Sequence, residues 1–395
     1  PFAGFTSNGS FGSTGSTYYP GDTDAGDIAR SLFYSATRYT GLSLVDSASP
    51  GTNQMGKLSD LMRYHFRDVP DTFERRRNHV IYNGNSSMPG SFGSLATRNR
   101  NAYVDNPEYA WSVFMDQAND TRLTLAGTTP TAAGASTLNV NLPDRIAGVS
   151  GPSGTTFTIN KAGVDGTYFA VDAAGQATSS LNGKYNAFAM DSTGSRLVSA
   201  SLPGSSATPG LVAGSVTIDN LDVTTQGGTG RGANDADDTV NLSYRSLARS
   251  EASFAAGSDL DTLTIDFGSL AQGTGQASQT FSIYNLIDVA GFTADLDVLS
   301  FQVLSDDAAL STTLTTINDL AAGAGLSFSA FLDLANVGTF SESYSIVVSD
   351  DTDVLGAALG TSLTLNLVGT VSAVPEPTTL ALLGVGLLSL RRRRA

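Results

Sequence analysis

Cysteine is absent from all 395 residues, so disulfides and thiolate metal sites are excluded and no thiol reports the redox compartment. Charge is scarce: 15% of residues are Asp, Glu, Lys or Arg, against 42 glycines and abundant serine and threonine. That balance suits an exported, β-rich protein better than a cytosolic enzyme. No Met and no leader of charged, apolar and then small residues stands at Pro1-Phe2-Ala3-Gly4, which leaves a removed signal peptide or a start inside a longer protein. Histidine and tryptophan are nearly missing, and His65, His79 and Trp111 all lie in the first third. What is present in quantity is length, enough for two or three domains with buried cores.

The net charge of −15 is unevenly spread. Residues 1–122 hold 11 Lys and Arg against 12 Asp and Glu, whereas residues 123–390 hold 7 against 25. The last four arginines, Arg391 to Arg394, offset part of that excess. A polyanion would therefore meet the first segment, because the remainder repels it.

Helical spacing dominates the first segment. Asp24 is placed to cap a helix carrying Ile28, Leu32, Phe33, Ala36 and Tyr39, with Gly41 to stop it. Leu58, Leu61, Met62, His65 and Phe66 share one face of a second helix. A third begins near Pro70-Asp71 with Phe73, Val80 and Ile81 on its apolar side, and a fourth is capped by Asp105 or Asn106 and runs through Trp111 and Phe114. From about residue 123 the period becomes two: Phe157 and Ile159, Val216 and Ile218, Leu263 to Phe267, Tyr344 to Val348, and Leu363 to Leu367 alternate with polar residues. Antiparallel sheets in one or two sandwiches are expected. Gly227-Gly228-Thr229-Gly230 and Asp235-Ala236-Asp237-Asp238 read as a long turn; its aspartates are either a Ca²⁺ site or a solvated acidic turn, and the spacing lacks the Gly and terminal Glu of an EF-hand.

The chain ends in Val374-Pro375-Glu376-Pro377, a 13-residue apolar run from Thr378 to Leu390, and Arg391-Arg392-Arg393-Arg394. Thirteen residues are short for a stable transmembrane helix, and a basic end is held on the cytoplasmic side, leaving everything upstream outside. A marginal membrane anchor is the plainer alternative. The three-part tail resembles the PEP-CTERM sorting signal. That resemblance implies export, transient membrane insertion of the tail, its processing by an exosortase, and association with the cell envelope or an extracellular polymer.

Four stretches of the first segment occur in a specific order: Gly26-Asp27-Ile28-Ala29-Arg30 with Phe33-Tyr34 and Arg38-Tyr39; Met55-Gly56-Lys57-Leu58; Asp71-Thr72-Phe73-Glu74-Arg75-Arg76-Arg77-Asn78 with Val80-Ile81-Tyr82; and Asn99-Arg100-Asn101 with Asp105 and Pro107-Glu108-Tyr109. Over roughly residues 15 to 115 they resemble the C-terminal half of endonuclease I, the extracellular ββα-metal nucleases, with Ala102 and Asn106 standing where that family usually has Pro and His. The resemblance implies metal-dependent, sequence-nonspecific hydrolysis of DNA, with RNA as a further substrate. It places the catalytic histidine and the asparagine that holds Mg²⁺ or another divalent metal on a finger upstream of these stretches, so residues 1–395 alone are expected to be inactive. His65 and His79 belong to no recognisable set of metal ligands.

Phosphate binding is the chemistry left to this segment. Arg75, Arg76, Arg98 and Arg100 are the candidate nucleic-acid contacts, able to hold phosphate oxygens bidentately, and Asp71, Glu74 and Asp105 are ready partners should the same arginines be internal ion pairs. Arg77 is expected to face the apolar side, and Asn99 and Asn101 to fix the loop. Without aromatic platforms between the basic residues, backbone and not sequence would be gripped.

The expected fold is α+β: the helical C-terminal part of a ββα-metal nuclease domain at 1–122, a β-rich acidic region at 123–250, an immunoglobulin-like β-sandwich at 255–371, and the short hydrophobic sorting tail at 374–395. The function expected is an exported endonuclease held at the surface or in the matrix. The alternative is a structural or adhesive matrix protein on a degenerate nuclease scaffold.

Overall fold

The computed structural model describes residues 12–14, 17–84, 96–221 and 233–374. Pro1-Phe2, the glycine run at 227–230, and the tail residues Pro375, Glu376, Pro377 and Arg391 to Arg394 lie outside the described residues. The described part is mostly β, and it divides into two compact units. One takes in the described residues of Pro1–Leu142, Ser153–Pro203 and Ala213–Ser243; the other those of Pro143–Pro152, Gly204–Val212 and Tyr244–Ala395.

Among the described residues of the first unit, five helices and two short strand pairs (Gly12–Thr14 with Thr17–Tyr19, Ser43–Leu44 with Gln54–Met55) precede the longer strands. α1 (Ala25–Arg38) buries Ala25, Gly26, Ala29, Arg30 and Phe33, so the inward stripe is rotated from the expected one, and Ile28 and Tyr39 are exposed. Asp24 sits at its N-cap without a side-chain cap bond, and the helix ends at an extended Tyr39, two residues before Gly41. Gly26 is required by packing: a Cβ there would lie 2.1 Å from the Asp68 carbonyl oxygen. α2 (Leu58–Arg67) buries Leu61, Met62, His65 and Phe66, the expected face.

α3 (Thr72–Asn83) reverses its expected orientation. Asp71 caps it by accepting from the Glu74 amide, as a first-turn Asp should. Yet the residues turned inward are Glu74 and Asn78, while Phe73 is 68% exposed and Val80 and Ile81 also face out. A short helix, α4 (Ala102–Asp105), follows and is capped by Asn101. The expected fourth helix is α5 (Tyr109–Phe114), which starts after Glu108 with no side-chain cap bond, so neither Asp105 nor Asn106 caps it. Asn106 has φ −137° and ψ 76°, because Pro107 crowds its predecessor out of helical geometry and supplies no amide to continue the helix.

These helices do not form a core of their own. Phe33, Met62, Phe66 and Trp111 pack with Tyr168 and Ala187 from the strands in one cluster, where the sequence puts a boundary near 122. Each such side chain contributes roughly 1.5–3 kcal/mol by leaving water. Gly166 brings the strand turn so close to Phe66 that a Cβ would sit 2.3 Å from the ring.

The strands of this unit lie in a four-stranded sheet, ordered Thr178–Ser179, Gly194–Ser201, Gly154–Ala162, Arg122–Leu125, and in a larger one ordered Gly183–Phe188, Thr167–Gly175, Gly210–Asn220, Asp238–Leu247, Thr137–Asn141. Asp235 and Asp238 are buried, contrary to a solvated turn. Asp235 accepts from the Leu123 amide at 2.6 Å and from Asn220, and Asp238 from the Ser136 amide at 2.6 Å, tying strands together.

In the second unit a sheet of Glu251–Ser253, Gln276–Leu286, Gly325–Asp333 and Leu310–Thr312 faces one of Thr262–Ala271, Leu363–Ser372, Gly338–Asp350, Leu296–Ser305 and Ile317–Leu320. Phe281, Ile283, Phe328 and Leu332 from one sheet share a core with Ile265, Ile346, Leu365 and Leu367 from the other. The sheets are not wholly antiparallel. Thr262–Ala271 runs parallel to Leu363–Ser372, and Asp238–Leu247 parallel to Thr137–Asn141. Those partners are about a hundred residues apart, so no hairpin dictates their direction.

Candidate nucleic-acid interface

The surface carrying the candidate arginines rests on a buried polar lattice. Arg30 of α1 is fully buried and donates to both Glu74 carboxylate oxygens, with Nη2 2.5 Å from Oε2; it also reaches Asp27 at 3.0 Å and the Asp68 carbonyl at 2.6 Å. Burial raises the Glu74 carboxyl above the usual carboxylate range against the pull of Arg30. One turn further along α3, Asn78 accepts from the Asn101 amide at 2.8 Å and donates to the Asn101 carbonyl and to Asp105. Asn101 in turn donates to the Arg30 carbonyl. α1, α3 and the loop before α4 are thereby locked together, which explains why α3 turns polar residues inward. Asn99 donates to the Thr97 carbonyl, a loop role as expected.

On this base the four candidate arginines have different partners. Arg75 lies with its guanidinium 4.2 Å over the Tyr185 ring and bonds its own first turn at the Asp71 carbonyl and Thr72. Arg76, a hundred degrees further around the helix, is exposed and makes no ion pair among the described residues. Arg98 is also exposed and without an ion pair among them, at a left-handed φ of 55°. Arg100 is clamped bidentately by Asp105 at 2.5 and 2.6 Å. Arg77, expected on the apolar side, is exposed and paired with Asp27 at 3.0 Å, because the inward face of α3 belongs to Glu74 and Asn78.

Two residues of this surface escape a sequence reading. Lys184 donates to Asn106 at 2.8 Å and lies 5.7 Å from the Tyr185 ring centre, which adds a cation and an aromatic ring beside Arg75 and Arg100. Both come from a strand of the acidic region, so neither charge counting nor motif order points to them. An aromatic ring does lie among the basic residues, contrary to expectation. Burial raises the Tyr185 hydroxyl, and Arg75 opposes the rise.

The two histidines sit in opposite surroundings. His65 is fully buried against Phe33, Phe66 and Tyr168, with Nε2 2.8 Å from the Pro107 carbonyl and Nδ1 unpartnered. Burial, aided by Arg30, pushes its pKa down to about 3, so it is a neutral core residue. His79 is exposed and contacts Asn83 and Arg100. Among the described residues, the one group of three acidic or histidine side chains close enough to share an ion is Glu251, Asp259 and Asp261, in the other unit. Around the arginines, Glu74 and Asp105 are already engaged by Arg30 and Arg100.

Residues 373–395 match the PEP-CTERM protein-sorting motif, and the protein is accordingly an exported, cell-surface or extracellular one. Over 103 residues the chain is 38% identical to an extracellular ribonuclease of Bacillus amyloliquefaciens and 36% identical to one of Bacillus subtilis (strain 168). Each match takes in 24% of this chain and 32% of the relative, so the chain spans about a third of the length of these curated relatives. Solved structures similar to it include a protein of unknown function from Porphyromonas gingivalis (TM-score 0.24, 13% identity, 63% of this chain and 99% of that one). Another is CfaE, the adhesive subunit of the CFA/I fimbria of enterotoxigenic Escherichia coli (TM-score 0.27, 10% identity, 64% and 87%). TM-scores of that order do not establish a common fold.

Proposed function

We infer that the helical segment is the C-terminal part of a metal-dependent, sequence-nonspecific endonuclease of the endonuclease I type, hydrolysing phosphodiester bonds of DNA, and of RNA, outside the cell. The likeness to extracellular ribonucleases carries this reading. Exposed Arg76 and Arg98, with Arg75 on Tyr185, support a surface that grips phosphates, while the acidic sandwich, immunoglobulin-like in kind, and the exosortase-processed tail hold the protein at the envelope or in extracellular polymer. In this reading the general base and the Mg²⁺ or other divalent metal belong to the upstream finger, and residues 1–395 position the nucleic acid. The second reading, a matrix protein on a degenerate nuclease scaffold, is favoured by the ion pairs that occupy Arg77 and Arg100.

Fluorescence anisotropy of labelled DNA and RNA with the full chain separates the two. The enzyme reading expects weak binding that falls log-linearly with salt, with a slope near −0.9 per duplex phosphate neutralised. A folded chain with no salt-sensitive affinity for either polymer leaves the scaffold reading.

A further inference from the structure

α1, α3 and the loop before α4 enclose a cleft of about 350 Å³, within the range of small-ligand pockets. We propose that this cleft is a subsite for one unstacked nucleotide of a single strand, with Arg38 on the phosphate and Tyr39 against the base; it rests on the nucleic-acid reading above and adds residues that reading does not use.

The α1 wall is built by Tyr34, Ser35 and Arg38, which share one face through helical spacing, and by Tyr39, the extended residue that follows the helix. The opposite wall is Arg77 and Asn78 of α3, with Asn99 from the loop. The electrostatics single out Arg38. Glu74 at the cleft is neutralised by Arg30, and Arg77 by Asp27, so those charges cancel locally. Arg38 is exposed in the last turn of α1 and makes no ion pair among the described residues, so only the carbonyl end of the helix offsets its charge.

Beside that cation stands Tyr39, 58% exposed, directly after the last residue of α1. An exposed ring adjoining an unpaired guanidinium provides the stacking face and phosphate fork that single strands use. The Tyr34 hydroxyl and the Asn99 amide supply polar groups at the walls for a base edge. The occupant this fits is an unpaired nucleotide, which strand ends, loops and single strands offer and a duplex does not.

The test uses the full chain with a labelled single-stranded oligonucleotide, a duplex of equal length, a nucleoside 5′-monophosphate and inorganic phosphate as competitors. Arg38→Ala and Tyr39→Ala should each weaken single-strand binding about tenfold, a 1.4 kcal/mol effect, leave duplex binding within twofold, and keep the native thermal transition. The mononucleotide should compete, and phosphate at the same concentration should not. Single-strand affinity unchanged in both variants overturns the subsite while salt-sensitive duplex binding keeps the interface. Equal competition by phosphate removes the base from it. Loss of all binding in the native chain overturns the subsite together with the function beneath it.

Discussion

His65 shows what a buried titratable side chain does to an acid-stability profile. Its folded pKa of about 3 lies below the unfolded value of about 6.5, so between those values the unfolded chain binds more protons. The stability that depends on a neutral imidazole is complete above pH 6.5 and is lost as the pH falls toward 3. By pH 4 the loss should be about 3 kcal/mol. Urea unfolding followed by Trp111 fluorescence at pH 7 and pH 4, in the native chain and in His65→Gln, checks this. The variant should be less stable at pH 7, and the gap between the two should shrink by that amount at pH 4. The Arg30–Glu74 pair allows a second test. Glu74→Leu leaves a buried guanidinium with only Asp27 and the Asp68 carbonyl and should cost about 3–5 kcal/mol, whereas Arg30→Met with Glu74→Leu should recover most of the loss in the same unfolding assay.

At the scale of the element, α3 presents its apolar residues to water and its polar ones to the protein. Its sequence alone cannot show this, since Phe73, Val80 and Ile81 have ordinary amphipathic spacing. The deciding partner, Arg30, is 44 residues away, and a buried guanidinium needs a carboxylate more than the neighbouring surface needs another apolar side chain. The arginines accordingly divide in role. Arg76→Ala with Arg98→Ala should reduce DNA affinity, flatten the salt slope by about two and leave the thermal midpoint unmoved. Arg100→Ala should instead show mainly as a stability loss of up to about 1 kcal/mol, because Asp105 already holds that side chain. Equal affinity losses for both variants, measured by anisotropy at two salt concentrations, would contradict the division.

For the whole molecule, the sorting tail and the charge split act together. A 13-residue apolar run followed by four arginines would keep an unprocessed chain at the membrane, while an acidic body stays clear of anionic surfaces. Protein recovered outside cells that possess an exosortase should therefore lack most or all of residues 375–395. Intact-mass analysis finding the full tail on extracellular protein would count against processing at this motif.

The alternating strands, the inward face of α2, the start of α3 near Pro70-Asp71 and the sorting motif were legible in the sequence because each depends on near neighbours: period two, helical spacing, a proline and aspartate at a helix start, a contiguous tail. The tertiary structure decided which face of α3 is buried, which strands run parallel, that Asp235 and Asp238 are internal ties, and that Lys184 and Tyr185 stand beside Arg75. Each of those depends on groups far apart in the chain, where desolvation of a charge or closure of a sheet overrides the local pattern.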